Sequence, residues 1–242
     1  MPTTPQARSA FKVSDSLNRQ LNAYVQVASA AGVSVLALAG ASEARVVYTE
    51  THQVTHTGFP LYIDLNHDGI KDFLLRTTFY FGSSGSEIGL SAFGYRNPKN
   101  VVAGRRFSRS GYFFSAAAAL PAGARIGPEG NFSVSMPFMG VELFDGVGSQ
   151  YSDVGAWVGD GKGVRNRYLG LKFVVRGEVH YGWARLSVTL GHERQFDDVA
   201  GTLTGYAYET VPDKAIIAGE ITGSDVITVR PETLGGLAMG RK

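Results

Sequence analysis

An all-β fold is what three features of this sequence predict: a single antiparallel β-sandwich of jelly-roll or lectin-like form, preceded by a signal-peptide helix. Glycine and aromatic residues are both abundant, with 31 Gly among 242 residues beside 14 Phe, 11 Tyr and 2 Trp. That is about 13% glycine against an average of roughly 7%, the mark of strands rich in aromatics joined by many tight turns. The last third of the chain alternates apolar and polar residues with the period of two that belongs to strands. Beyond the leader, only Ser115–Leu120 (S-A-A-A-A-L) reads as a helical turn, and Pro121 ends it.

The N-terminus reads as an export signal spanning residues 1–44. Arg8, Lys12 and Arg19 form a basic leader, and Ala23–Gly40 is apolar and rich in small residues. Ser42 and Ala44 then supply the small side chains expected at −3 and −1 of a cleavage point before Arg45. The apolar run is too short and too rich in Ala, Ser and Gly to span a bilayer. The protein is therefore expected to be exported, to the periplasm, the cell surface or the medium, with no stable membrane anchor after cleavage. Residues 45–220 form the expected sandwich domain and 221–242 a flexible tail.

Composition narrows the function classes. At 44% hydrophobic and 18% charged the chain can bury a sizeable core. The net charge of +2 is close to balance and implies no nucleic-acid partner. With no cysteine, thiolate metal sites, thiol nucleophiles and structural disulfides are all excluded.

Taken in order, Val46–Thr57 opens the domain as a strand rich in Val, Thr and Tyr. His52 and His56 share a face of it, but four strand residues separate them by about 13 Å, too far to chelate one ion. Leu61–Ile63 is a short strand after Pro60, and Phe73–Phe81 another before the Gly82–Ser86 turn. Asn131–Met136 and Val141–Phe144 alternate as strands, while Gly146–Gly163 reads as a long glycine-rich loop around Trp157. Tyr168–Arg176 and His180–Leu190 form a hairpin about Gly177-Glu178. Thr202–Glu209 and Ala215–Gly219 complete the domain.

One stretch carries chemistry. Asp64–Asp72 reads D-L-N-H-D-G-I-K-D. Asp64, Asn66, Asp68 and Asp72 fall at positions 1, 3, 5 and 9 of a calcium-loop pattern, Gly69 falls at position 6, and the Ile70 carbonyl is the backbone ligand. A hard dication needs several oxygens about 2.3–2.6 Å away, so ligands on alternate residues have to curl around a point. A plain turn uses one or two such residues. Leu75 stands where an EF-hand places a bidentate Glu, and the apolar, partly β-branched flanks predict a strand–loop–strand unit. Calcium is the expected cofactor, with an affinity as weak as ~10⁻⁴–10⁻³ M for want of that twelfth ligand. The loop resembles those of FG-GAP/VCBS-type repeats and of thrombospondin-3-like and dockerin segments, which share D-x-N-x-D-G-x-x-D.

A second resemblance covers most of the chain. Gly170-Leu-Lys-Phe, His180-Tyr-Gly-Trp-Ala-Arg-Leu, Gly205-Tyr-Ala-Tyr-Glu-Thr and Ile216-Ile-Ala-Gly, with the leader ending Glu43-Ala44-Arg45, resemble exported bacterial proteins similar to PEP-CTERM surface proteins. The resemblance implies location and fold more than activity. Residues 231–242 have the outline of a sorting tail, but about six apolar residues fall far short of the ~20 that cross a bilayer.

The leading functional expectation is an exported calcium-binding sandwich with a structural or cell-surface role. The alternative is a lectin-like module for extracellular polysaccharide, with Trp157, Tyr112 or Tyr151 stacking on sugars and Arg105, Arg106 and Arg109 meeting acidic polymers. A glycosidase with Glu142 and Asp145 as its carboxylates ranks last, since no catalytic signature accompanies them. No catalytic residue is assigned.

Overall fold

The computed structural model describes residues 45–229, apart from 83–84, 110–111, 134–136, 146–149, 191–198 and 223–224. The expected signal peptide and the last thirteen residues lie outside the described residues. Among those described there is no helix. In chain order the strands are β1 (Val46–Thr55), β2 (Leu61–Ile63), β3 (Phe73–Gly82), β4 (Gly85–Gly94) and β5 (Val101–Arg109). There follow β6 (Tyr112–Ala117), β7 (Arg125–Ile126), β8 (Phe132–Ser133), β9 (Phe138–Asp145) and β10 (Gln150–Val154). The last five are β11 (Val164–Val175), β12 (Glu178–Leu190), β13 (Val199–Glu209), β14 (Ile216–Ile217) and β15 (Val226–Val229).

Hydrogen bonding runs in the order β15-β1-β13-β12-β11-β5-β6-β9-β4-β3-β2, with β10 on β9, β8 on β5, and β7–β14 as a separate pair. The path turns a corner at β5. Val101 and Val102 pair with β11, whereas Gly104–Arg109 pair with β6. The two halves thereby face one another as a sandwich. Thr77 Oγ1 of β3 donates to the Val199 carbonyl of β13 at 3.3 Å, and the Phe73 ring of β3 meets Phe173 of β11 edge-on at 6.5 Å.

The half built on β1, β13, β12 and β11 is covered on both faces. Its outer face carries Tyr48, Tyr168, Trp183 and Ala207, which pack with Ile126, Ile216 and Ala218 from the long connections beyond β6 and β13. Trp183 sits between Tyr48 and Tyr168, with ring centroids 5.8 and 5.2 Å away. Its neighbours Ala184, Leu186 and Val188 are equally buried. The alternation read along β12 therefore separates two buried faces rather than a wet face from a dry one.

Several details differ from expectation. The alanine run at Ser115–Ala117 is strand, because Gly104–Arg109 offer it a ladder of partners, and tertiary pairing overrides helix propensity. The sheet is mixed: β15 runs parallel to β1 from Val46↔Val226 to Thr49↔Val229, and β6 meets β9 in parallel at Ala116↔Phe138. The tail expected to be flexible from 221 thus supplies an edge strand. The Gly146–Gly163 loop contains β10, paired along β9.

Candidate functional site

β2 and β3 are antiparallel and end together at Ile63↔Phe73, so residues 64–72 bridge one strand pair as the flanking sequence predicts. Leu61, Ile63, Phe73 and Leu75 are buried and hold both feet of the loop in the core. Ile63 also accepts the Asp72 N–H at 2.8 Å, which closes the base.

Each carboxylate caps an amide of the loop itself. Asp64 Oδ2 accepts from Gly69 N–H at 2.9 Å and Asp68 Oδ1 from Ile70 N–H at 2.8 Å. Asp72 Oδ2 accepts from Leu65 N–H at 2.8 Å. Asn66 Nδ2 donates to Asp68 Oδ2 at 3.0 Å, and Asn66 Oδ1 takes the Asp68 N–H at 3.3 Å. Gly69 has φ +87, and a Cβ there would meet nothing within 4 Å, so backbone conformation rather than space selects glycine. Ile70 projects its side chain outward, 62% exposed.

Negative charge is concentrated and only partly compensated. The Asp72 carboxyl is pushed up to about 6, first by burial and then by Asp64 and Asp68, against the lowering effect of the Leu65 amide. Burial, with smaller contributions from Asp64 and Asp72, pushes the Tyr206 hydroxyl up to about 12, and Tyr208 moves the same way under burial and all three carboxylates. Lys71 Nζ lies 3.9 Å from Asp64 Oδ2, on an exposed side chain that gives little stabilisation. Asp64 Oδ1 is buried and has no hydrogen-bond partner. Buried oxygens are nearly always satisfied, so an orphan in a carboxylate-lined loop fits a cation ligand.

The chain matches no protein-family model, no curated protein and no solved structure.

Among the described residues no three His, Cys, Asp or Glu side chains converge in a way that would hold a metal unaided. The loop adds Asn66 and backbone carbonyls to its carboxylates, and hard cations accept those oxygens readily.

Of the other residues singled out by sequence, Trp157 is fully buried and cannot stack on a sugar. Its backbone N–H donates to the Met139 carbonyl at 3.1 Å, which folds the glycine-rich segment back onto β9. Arg105 and Arg106 are exposed on β5, and His52 is exposed on β1. The side chains of Arg109, Tyr112, Glu142, Asp145 and Tyr151 lie outside the described residues.

Sequence reasoning missed the loop's outside supports. His67, at φ 59, shares a 2.7 Å hydrogen bond through Nε2 with Thr49 Oγ1. The Asp72 carbonyl accepts from Tyr95 N–H at 2.7 Å and Asn100 Nδ2 at 3.2 Å. Leu65 is completely buried, and Gly182 on β12 admits it: a Cβ there would lie 2.9 Å from Leu65 Cδ2.

Proposed function

We propose that residues 64–72 bind calcium and that this exported β-sandwich serves a structural or cell-surface role, with the ion stabilising the β2–loop–β3 unit. Asp64, Asn66, Asp68 and Asp72 would hold the ion through side-chain oxygens and Ile70 through its carbonyl. The bound ion would supply positive charge to a loop whose carboxylates repel one another. The observation that carries this reading is Asp64 Oδ1, a buried oxygen without a partner in a loop of matching ligand spacing.

A protein without cysteines gains from such a staple, since a ligand at 100 times its Kd adds about 2.7 kcal/mol to the folded state. The test is thermal unfolding in EDTA and in millimolar calcium. Calcium raises the wild-type midpoint and does nothing for Asp64→Ala or Asp68→Ala; superimposable wild-type curves refute the reading.

Carbohydrate binding is the second reading, and its support now comes from other residues than Trp157. On the outer face of β2–β4, Tyr62 meets Tyr95 edge-on at 5.1 Å, while Arg76 lies over Phe93 and Arg96 over Tyr95, each at 5.3 Å. Tyr62 is 40% exposed there, and rings beside guanidinium groups suit acidic sugars. Retention on an immobilised acidic polysaccharide, lost in Tyr62→Ala, would favour it.

A further inference from the structure

The loop is attached to more than the strands that carry it. Thr49 lies on β1, opposite Tyr206 of β13, in the half of the sandwich that faces β2 and β3. Its hydroxyl is completely buried and meets His67 Nε2 at 2.7 Å, and the His67 ring lies 5.8 Å from the Tyr206 ring. His67 reaches them from φ 59, a left-handed conformation uncommon outside glycine. A residue held there by its side-chain contacts is one whose placement the surroundings dictate.

The other end of the loop is tied across the same gap. Asn100 Nδ2 donates to the Asp72 carbonyl at 3.2 Å, while Asn100 Oδ1 accepts Val174 N–H of β11 at 3.1 Å. One bridge therefore enters at the middle of the loop and one at its last ligand, and both are rooted in the facing half. Leu65, completely buried, is seated against Gly182 of the same facing half.

We propose that Thr49 and His67, seconded by Asn100, are positioning residues for the loop's cation, so that ion affinity is set by the facing sheet as well as by the ligands. The proposal rests on the calcium reading above. Neither Thr49 nor His67 supplies a ligand; each fixes where Asn66 and Asp68, the neighbours of His67, present theirs. Coupling runs both ways, so a bound ion holds the two halves of the sandwich together at this end.

Calorimetric titration of calcium into the full-length protein decides the matter, using wild type, Thr49→Val, Thr49→Ser and His67→Gly. Thr49→Val removes the hydroxyl at constant shape, and His67→Gly removes the link while keeping the backbone conformation. Both are expected to weaken calcium binding ~3- to 10-fold, the worth of one buried hydrogen bond. Thr49→Ser, which restores the hydroxyl, keeps the wild-type Kd. Melting in EDTA reports folding separately, and His67→Gly serves if Thr49→Val does not fold. A folded His67→Gly or Thr49→Val with wild-type affinity overturns the proposal and leaves the calcium reading standing. A wild type that takes up no calcium at millimolar concentration removes both.

Discussion

Two connections in this molecule do the same topological job by opposite means. Between β11 and β12 the chain reverses in two residues, Arg176 and Gly177, both with positive φ, as the twist of a hairpin prefers. Between β2 and β3 it takes nine, buries Asp72 to 6% exposure and gathers three carboxylates whose charges oppose one another. If reversal were the only task, the short solution would serve both places. The excess at 64–72 is a cost to the isolated fold, and such costs collect at functional sites.

The contrast can be broken or sharpened experimentally. The largest effect belongs to Leu65→Ala, which empties the contact with β12. It is expected to cost about 2–5 kcal/mol in denaturant unfolding, with or without calcium. Next comes pH. The Asp72 carboxyl, pushed up to about 6 in the folded protein from its ordinary 3.8, favours the folded state fully below 3.8 when no metal is bound. That contribution, about 3 kcal/mol at the limit, is lost as pH rises through 6. Calcium requires the ionised form, so the calcium-induced rise in midpoint shrinks as pH falls below 6, which a set of melts from pH 5 to 8 will show. In Asp64→Ala the stabilisation of about 2.7 kcal/mol at 100 times the wild-type Kd disappears, read as the difference between melts with and without calcium. The smallest effect is at the short turn: Gly177→Ala, at φ +91, costs about 1–2 kcal/mol and leaves the calcium response untouched. A calcium response altered by Gly177→Ala would erase the distinction between the two connections.

The sequence made the β11–β12 hairpin and the strand–loop–strand at 64–72 readable because both are local. Period-two alternation, a glycine at a positive-φ position and acidic residues on alternate positions are all written within a dozen residues. The supports of the loop are not local. Thr49 lies 18 residues before His67, and Asn100 lies 28 after Asp72, each an ordinary polar residue until the two halves of the sandwich meet. The same limit explains Trp157, whose glycine-rich neighbours read as an exposed loop although pairing with Met139 buries the ring. It also explains Ser115–Ala117, where local helix preference yields to the ladder with β5.

The most direct measurement is a high-resolution crystal structure grown in millimolar calcium. The prediction is an ion about 2.3–2.6 Å from oxygens of Asp64, Asn66, Asp68, Asp72 and the Ile70 carbonyl, with Asp64 Oδ1 among them. A structure from such crystals in which Asp64 Oδ1 faces no cation, and the carboxylates bind only loop amides, would contradict it.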